Sequence, residues 1–167
     1  QLSALTAALH QYYPSLSTLT RIECFDISNT QGTFAAGSMV VFTDGIADTG
    51  QYRKFRIRSK NTPDDVAMIA EVLTRRFNHP EWPYPDLFVI DGGKGQVRAS
   101  IKITGHIPLI GLAKREEEII VPIQTGFATI RLKHDNPGIW LLQRIRDEAH
   151  RFAITYHRKL RGLTVLS

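Results

Sequence analysis

One stretch constrains the fold more than any other: Asp86-Leu87-Phe88-Val89-Ile90-Asp91-Gly92-Gly93-Lys94-Gly95. Four consecutive apolar residues between turn-forming neighbours read as a buried strand. That strand delivers the carboxylate of Asp91 to its C-terminal edge, and three glycines within the next four residues leave the space in front of the acid open. A desolvated carboxylate is costly without a partner, so an acid placed this way asks for a cation. A second segment, Arg21-Ile22-Glu23-Cys24-Phe25-Asp26-Ile27-Ser28, carries Asp26 on another apolar strand.

The rest of the composition frames these two acids. At 167 residues the chain is long enough for one domain with a sizeable core. Its net charge of +5 favours a polyanionic partner. Two strand-borne carboxylates in a basic chain point to a metal-dependent enzyme acting on nucleic acid. Cys24 is the only cysteine, which excludes an internal disulfide and a thiolate zinc site and fits a reducing compartment, the cytoplasm. No run approaches the ~20 apolar residues of a membrane helix, and the N-terminus lacks a signal-peptide pattern. The chain begins at Gln1, so we expect a piece of a longer protein.

Residues 1–10 have the apolar spacing of a short amphipathic helix, followed by a linker around Pro14, so residues 1–20 are expected to be a short helix and linker ahead of the domain at 21–161. Strands are expected at 21–28, 34–43 and 51–58, close enough in sequence for an antiparallel meander. Thr62-Pro63-Asp64-Asp65 predicts a helix start with Thr62 as N-cap, running to about Phe77. After the strand ending at Asp91 come a helix over 96–102, a strand over 108–112 and a small β-hairpin insert over 117–133. Asn136-Pro137 opens a last helix to about Leu160, leaving 162–167 as a tail. This order implies an α/β domain: a mixed five-stranded sheet, three antiparallel strands then parallel ones, flanked by helices.

Asp26 and Asp91 on neighbouring strands suit a hard divalent cation, Mg²⁺ or Mn²⁺, which prefers oxygen ligands and can assist attack on a phosphate. The loop Gly92-Gly93-Lys94-Gly95-Gln96 is neither a Walker A loop nor a dinucleotide fingerprint. It is either a phosphate-approaching loop bearing Lys94 or a plain tight turn. In the last helix, Leu142, Ile145, Ala149, Phe152, Ala153 and Tyr156 make the core stripe, with His150 at its border. A border histidine can ligate metal or move a proton, or be only a half-buried structural side chain.

Arg144, Arg146, Arg151, Arg158, Lys159 and Arg161 also lie on this helix, and part of this set is expected to bind phosphates, notably Arg144, Arg146 and Arg151. Lys54, Arg56, Arg58 and Lys60 share one face of the third strand and its end; they too could track phosphates, but the favoured reading is a charged edge that resists aggregation. Asp65 supports the helix N-terminus or stands as a third acid near the metal.

The stretches Ile22–Ser28, Val89–Gln96, Gly111–Arg115 and Leu142–Ala153 together resemble the C-terminal endonuclease domain of UvrC, the incision subunit of nucleotide excision repair. The resemblance covers roughly residues 20–161 and implies an RNase H-like fold. Its catalytic Asp, Asp and His fall on Asp26, Asp91 and His150, and a further family acid falls on Asp65. It implies metal-dependent incision of damaged double-stranded DNA on the 5′ side of the lesion, in company with UvrB, and UvrA upstream, through parts of the parent protein outside this sequence. The family usually has His where this chain has Asn29, which cannot supply a proton at neutral pH. Two other readings stand beside this one: a non-catalytic DNA-binding or assembly module with the same fold, and a generic RNase H-like nuclease or resolvase.

Overall fold

The computed structural model describes residues 1–30, 34–58, 64–113 and 118–166, and the side chains of 1–28, 35–58, 64–113 and 118–155. Helix α1 (Leu2–Leu9) precedes strands β1 (Arg21–Thr30), β2 (Phe34–Thr43), β3 (Ile46–Ala47) and β4 (Arg53–Arg56). Then follow α2 (Asp65–Phe77), β5 (Leu87–Asp91), α3 (Lys94–Thr104), β6 (Leu109–Leu112), β7 (Glu118–Ile123), β8 (Gly126–Arg131) and α4 (Pro137–Leu166).

All strands join one mixed eight-stranded sheet in the order β3-β2-β1-β5-β6-β7-β8, with β4 also paired to β2. Strands β1, β5 and β6 run parallel, while β2, β3, β4, β7 and β8 pair antiparallel. The five expected strands are β1, β2, β4, β5 and β6. The sheet goes further because the hairpin β7–β8 continues it from the edge of β6.

Side-chain alternation divides the core into two layers. Ile22, Cys24, Val40, Phe42, Leu87 and Val89 face α1 and α4; Phe25, Met39, Val41, Phe88 and Ile90 face α2 and α3. The β1–β5 register sets Cys24 beside Val89 and Phe25 beside Ile90. Continued by one residue, it sets Asp26 beside Asp91, both on the α4 face.

Three expectations change. Residues 1–20 are not a linker in structural terms: Leu5 and Leu9 are fully buried, and the Tyr13 hydroxyl donates to the Leu109 carbonyl at 2.6 Å. A Cβ on Gly138 would come within 3.0 Å of the Leu5 backbone nitrogen, so glycine there lets α1 reach α4. The cap of α2 is Asp64 rather than Thr62: its carboxylate accepts from the Val66 and Ala67 amides at 3.0 and 3.2 Å. Thr62 itself lies outside the described residues. Finally, α4 continues to Leu166, past the expected stop, since Gly162 weakens a helix by only about 1 kcal/mol.

Candidate functional site

The site forms where β5 ends beside the middle of β1 and α4 crosses them. Asp91 closes β5, an entirely buried strand, and its side chain has no exposed surface. Asp26 lies on the neighbouring strand with 8% of its surface exposed. His150 reaches both from α4, and its side chain is 43% exposed. Its Nε2 is hydrogen-bonded to Asp91 Oδ2 and lies 3.8 Å from Asp26 Oδ2. One ligand-capable atom from each of the three falls within 4.8 Å of the others.

The second oxygen, Asp91 Oδ1, is buried and has no hydrogen-bond partner among the described residues. A buried carboxylate oxygen left this way is expensive unless something charged meets it. Two carboxylates and one imidazole are a donor set for Mg²⁺ or Mn²⁺, so the residues present fit such an ion. Cys24 lies two residues before Asp26 on the same face, and its thiol does not join the set. Burial, then the charges of Asp91 and Asp26, push its pKa well up, so it stays protonated.

The other expected site residues divide. Lys94 is exposed as the first residue of α3, three residues beyond Asp91. Arg146 lies one helical turn before His150, and its Nη1 donates to the Ala113 carbonyl at 3.4 Å, just past β6. Arg151 is exposed and engaged with Glu148 at 2.9 and 2.6 Å. Arg144 is not brought to the acids. Six residues before His150, it sits about 9 Å down the helix axis and about 120° round it. It donates to the Gly45 carbonyl and covers the Phe42 ring.

Asp65 is exposed in the first turn of α2 and stands outside the Asp26–Asp91–His150 group. Its neighbour Val66 leans on the glycine segment, 3.3 Å from where a Gly95 Cβ would be. The Asn29 side chain lies outside the described residues.

The glycines do less opening than their number implies. A Cβ on Gly92 would strike the Gln96 amide, whose oxygen accepts the Gly93 N–H at 2.9 Å and caps α3. Only Gly93 faces empty space. Sequence reasoning missed a second bracket on α4. The Tyr52 hydroxyl donates to Glu148 at 2.9 Å, and the Tyr52 ring meets Phe152 edge-on at 5.0 Å. These contacts tie the His150 turn to the segment entering β4. The aromatic at 52 and the acid at 148 were visible, but nothing local pairs residues so far apart.

The UvrC RNAse H endonuclease domain family matches residues 12–154. The chain belongs to that family. A UvrABC system protein C from Prosthecochloris aestuarii is 51% identical over 148 residues, covering 84% of this chain and 24% of the relative. One from Methanospirillum hungatei is 48% identical over 151 residues, covering 86% of this chain and 29% of the relative. The chain thus spans about a quarter of the length of the UvrC relatives it matches. Endonuclease V from Bacillus subtilis shares the fold, with a TM-score of 0.50 at 14% identity, covering 87% of this chain and 85% of that one. That neighbour supports the RNase H-like architecture. Asp26, Asp91 and His150, the three side chains that converge here, all lie within the matched residues.

Proposed function

We propose that this chain is the part of a UvrC-type protein that cuts one DNA strand on the 5′ side of a lesion in nucleotide excision repair. Mg²⁺ or Mn²⁺ would be held by Asp26, Asp91 and His150. The observation that carries this reading is Asp91 itself, its side chain fully buried, with one oxygen that has no partner among the described residues and a second acid and an imidazole beside it. A divalent cation bound there supplies charge stabilisation for the phosphate and lowers the pKa of water.

The chain's own groups do the rest. Asp26 and Asp91 concentrate negative charge at the end of a rigid sheet, so the site is held in position before substrate arrives. His150 is the one member of the three with substantial exposure. Its Nε2 is placed to ligate, or to pass a proton between solvent and the acids. Lys94 and Arg146 flank the acids from two elements and are suited to neighbouring phosphates. Hydrolysis by water in line with the leaving oxygen would give 3′-hydroxyl and 5′-phosphate ends.

The substrate on this reading is damaged duplex DNA, delivered by UvrB after UvrA, in the cytoplasm. Among the described residues no helix is long and apolar enough to cross a membrane. The deciding experiment places Asp91→Ala in the full-length parent and reconstitutes it with UvrA and UvrB on a lesion-bearing duplex. Loss of the 5′ cut is expected. Persistence of the 5′ cut would remove Asp91 from the mechanism.

A further inference from the structure

The basic face of β4, which by sequence alone reads as an edge that resists aggregation, lies on the same side of the sheet as the acids. The register shows this directly. Asp26 pairs with Ser38 across β1–β2, and Ser38 pairs with Lys54 across β2–β4. One row further along, Ser28 pairs with Ala36, and Ala36 with Arg56. Directly opposed residues in antiparallel strands project to one face. Lys54 and Arg56 therefore stand on the α4 face with Asp26 and Asp91, two strand spacings or roughly 10 Å from β1.

On β2 the row between them is Ala36 and Ser38, both buried, so the sheet is covered there and the exposed route from the acids to the basic pair runs past α4. There the Lys54 Nζ lies 4.8 Å from the centre of the Phe152 ring, two residues after His150. Lys54 and Arg56 are both exposed to solvent. A negatively charged site cannot hold a polyanion without positive charge on its flanks.

We propose that Lys54 binds a backbone phosphate of the strand being cut, adjacent to the scissile one, with Arg56 continuing the same track. The nucleic acid strand then leaves the acids past the exposed His150 towards the β4 edge, where Lys54 lies over Phe152. This inference rests on the nuclease reading above and adds the direction in which the strand leaves the acids.

The test measures binding of a fluorescent DNA oligonucleotide by this chain in EDTA over a range of salt concentrations. Lys54→Met removes the charge and keeps the apolar stem over Phe152; Lys54→Arg keeps the charge. Lys102→Met, an exposed lysine near the end of α3, is the control for general charge loss. We expect Lys54→Met to weaken binding several-fold and to reduce the slope of log K against log salt by about 1. Lys54→Arg should restore the slope, and Lys102→Met should leave it within error of wild type.

An unchanged slope in Lys54→Met, an equal loss in Lys102→Met, or no salt-dependent binding by wild type would each overturn the inference. Thermal melting with Mn²⁺ separates the two readings. If Mn²⁺ stabilises Lys54→Met as it does wild type while the DNA slope is unchanged, only the track is wrong. If Mn²⁺ stabilises neither, the metal reading fails, whatever the DNA slope shows.

Discussion

Two buried carboxylates on adjacent strands of one sheet have opposite surroundings. Glu23 on β1 is fully buried and meets two guanidinium groups: Arg76 at 2.7 and 2.9 Å and Arg21 at 3.0 Å. Arg76, itself fully buried, also donates to the Pro83 carbonyl at 2.7 Å and lies against the Trp82 and Tyr84 rings. Asp91 on β5 is as deeply buried, yet it meets only an imidazole and leaves one oxygen with no partner among the described residues. The first carboxylate completes its environment within the fold. The second has an environment that the fold leaves incomplete, and the site is built around that deficit. A buried charge supplied with cations holds elements together, whereas one left short of them is a place for a ligand.

The contrast can be broken most directly at Asp91. Asp91→Asn should lower 5′ incision by roughly two to three orders of magnitude or more, while an Arg21→Lys change at the other acid leaves incision nearly intact. Incision in the reconstituted repair reaction checks this. At the Glu23 end the large effect is on stability. Arg76→Met strands a buried carboxylate and should cost about 3–5 kcal/mol by denaturant titration. Replacing Glu23 by Leu in the same chain should recover part of that loss.

Metal addition tests the same difference without activity. Mn²⁺ at about 100 times its dissociation constant should stabilise the wild-type chain by about 2.7 kcal/mol and leave Asp91→Asn unmoved. Arg76→Met, where it remains folded, should keep the response. In EDTA, Asp91→Asn should melt no lower than wild type, because it removes a buried charge that the fold does not fully compensate. A fall of several degrees would show that the carboxylate is structural after all.

The smallest effect concerns the bracket that holds the His150 turn. Burial, and then the hydrogen bond to Glu148, push the Tyr52 hydroxyl pKa up. An unfolded tyrosine ionises near pH ~10, so this contribution is complete below that pH and is lost as pH rises through the higher folded value. Glu148 shifts the other way: the hydrogen bond from Arg151 is the first cause holding its pKa down. Its contribution is present above pH ~4.3 and is lost as pH falls through the lowered folded value. Tyr52→Phe should cost about 1 kcal/mol near neutrality and flatten the alkaline loss, measured by melting across pH.

Much of this was legible in the sequence because the signals were local. The apolar runs ending in Asp26 and Asp91 marked β1 and β5, and strand alternation placed Lys54 and Arg56 on one face of β4. The stripe of α4 put His150 at its border. What lay beyond reach depended on pairing or on a choice among equals. Thr62 and Asp64 are both competent caps, and only the backbone path selects Asp64. Arg144 and Arg146 look alike along the helix, but the crossing of α4 sends one towards Gly45 and keeps the other one turn from His150. Residues around Pro14 have linker composition, and the packing of α1 on α4 depends on Gly138 leaving room for the Leu5 backbone.

Read alone, the sequence determined that two acids would ride on apolar strands and that a histidine would border the core face of a long helix. Those are matters of periodicity within a few residues. It also contained Glu23, three residues from Asp26 on the same strand and so on the opposite face, with no local sign of which side chains would meet it. Tertiary structure decided that. It brought Arg76 across 53 residues of chain to Glu23 and placed His150 against Asp91. Whether a buried charge is satisfied depends on which side chains meet it in space, and that is set by helix crossing and strand register rather than by neighbours in sequence.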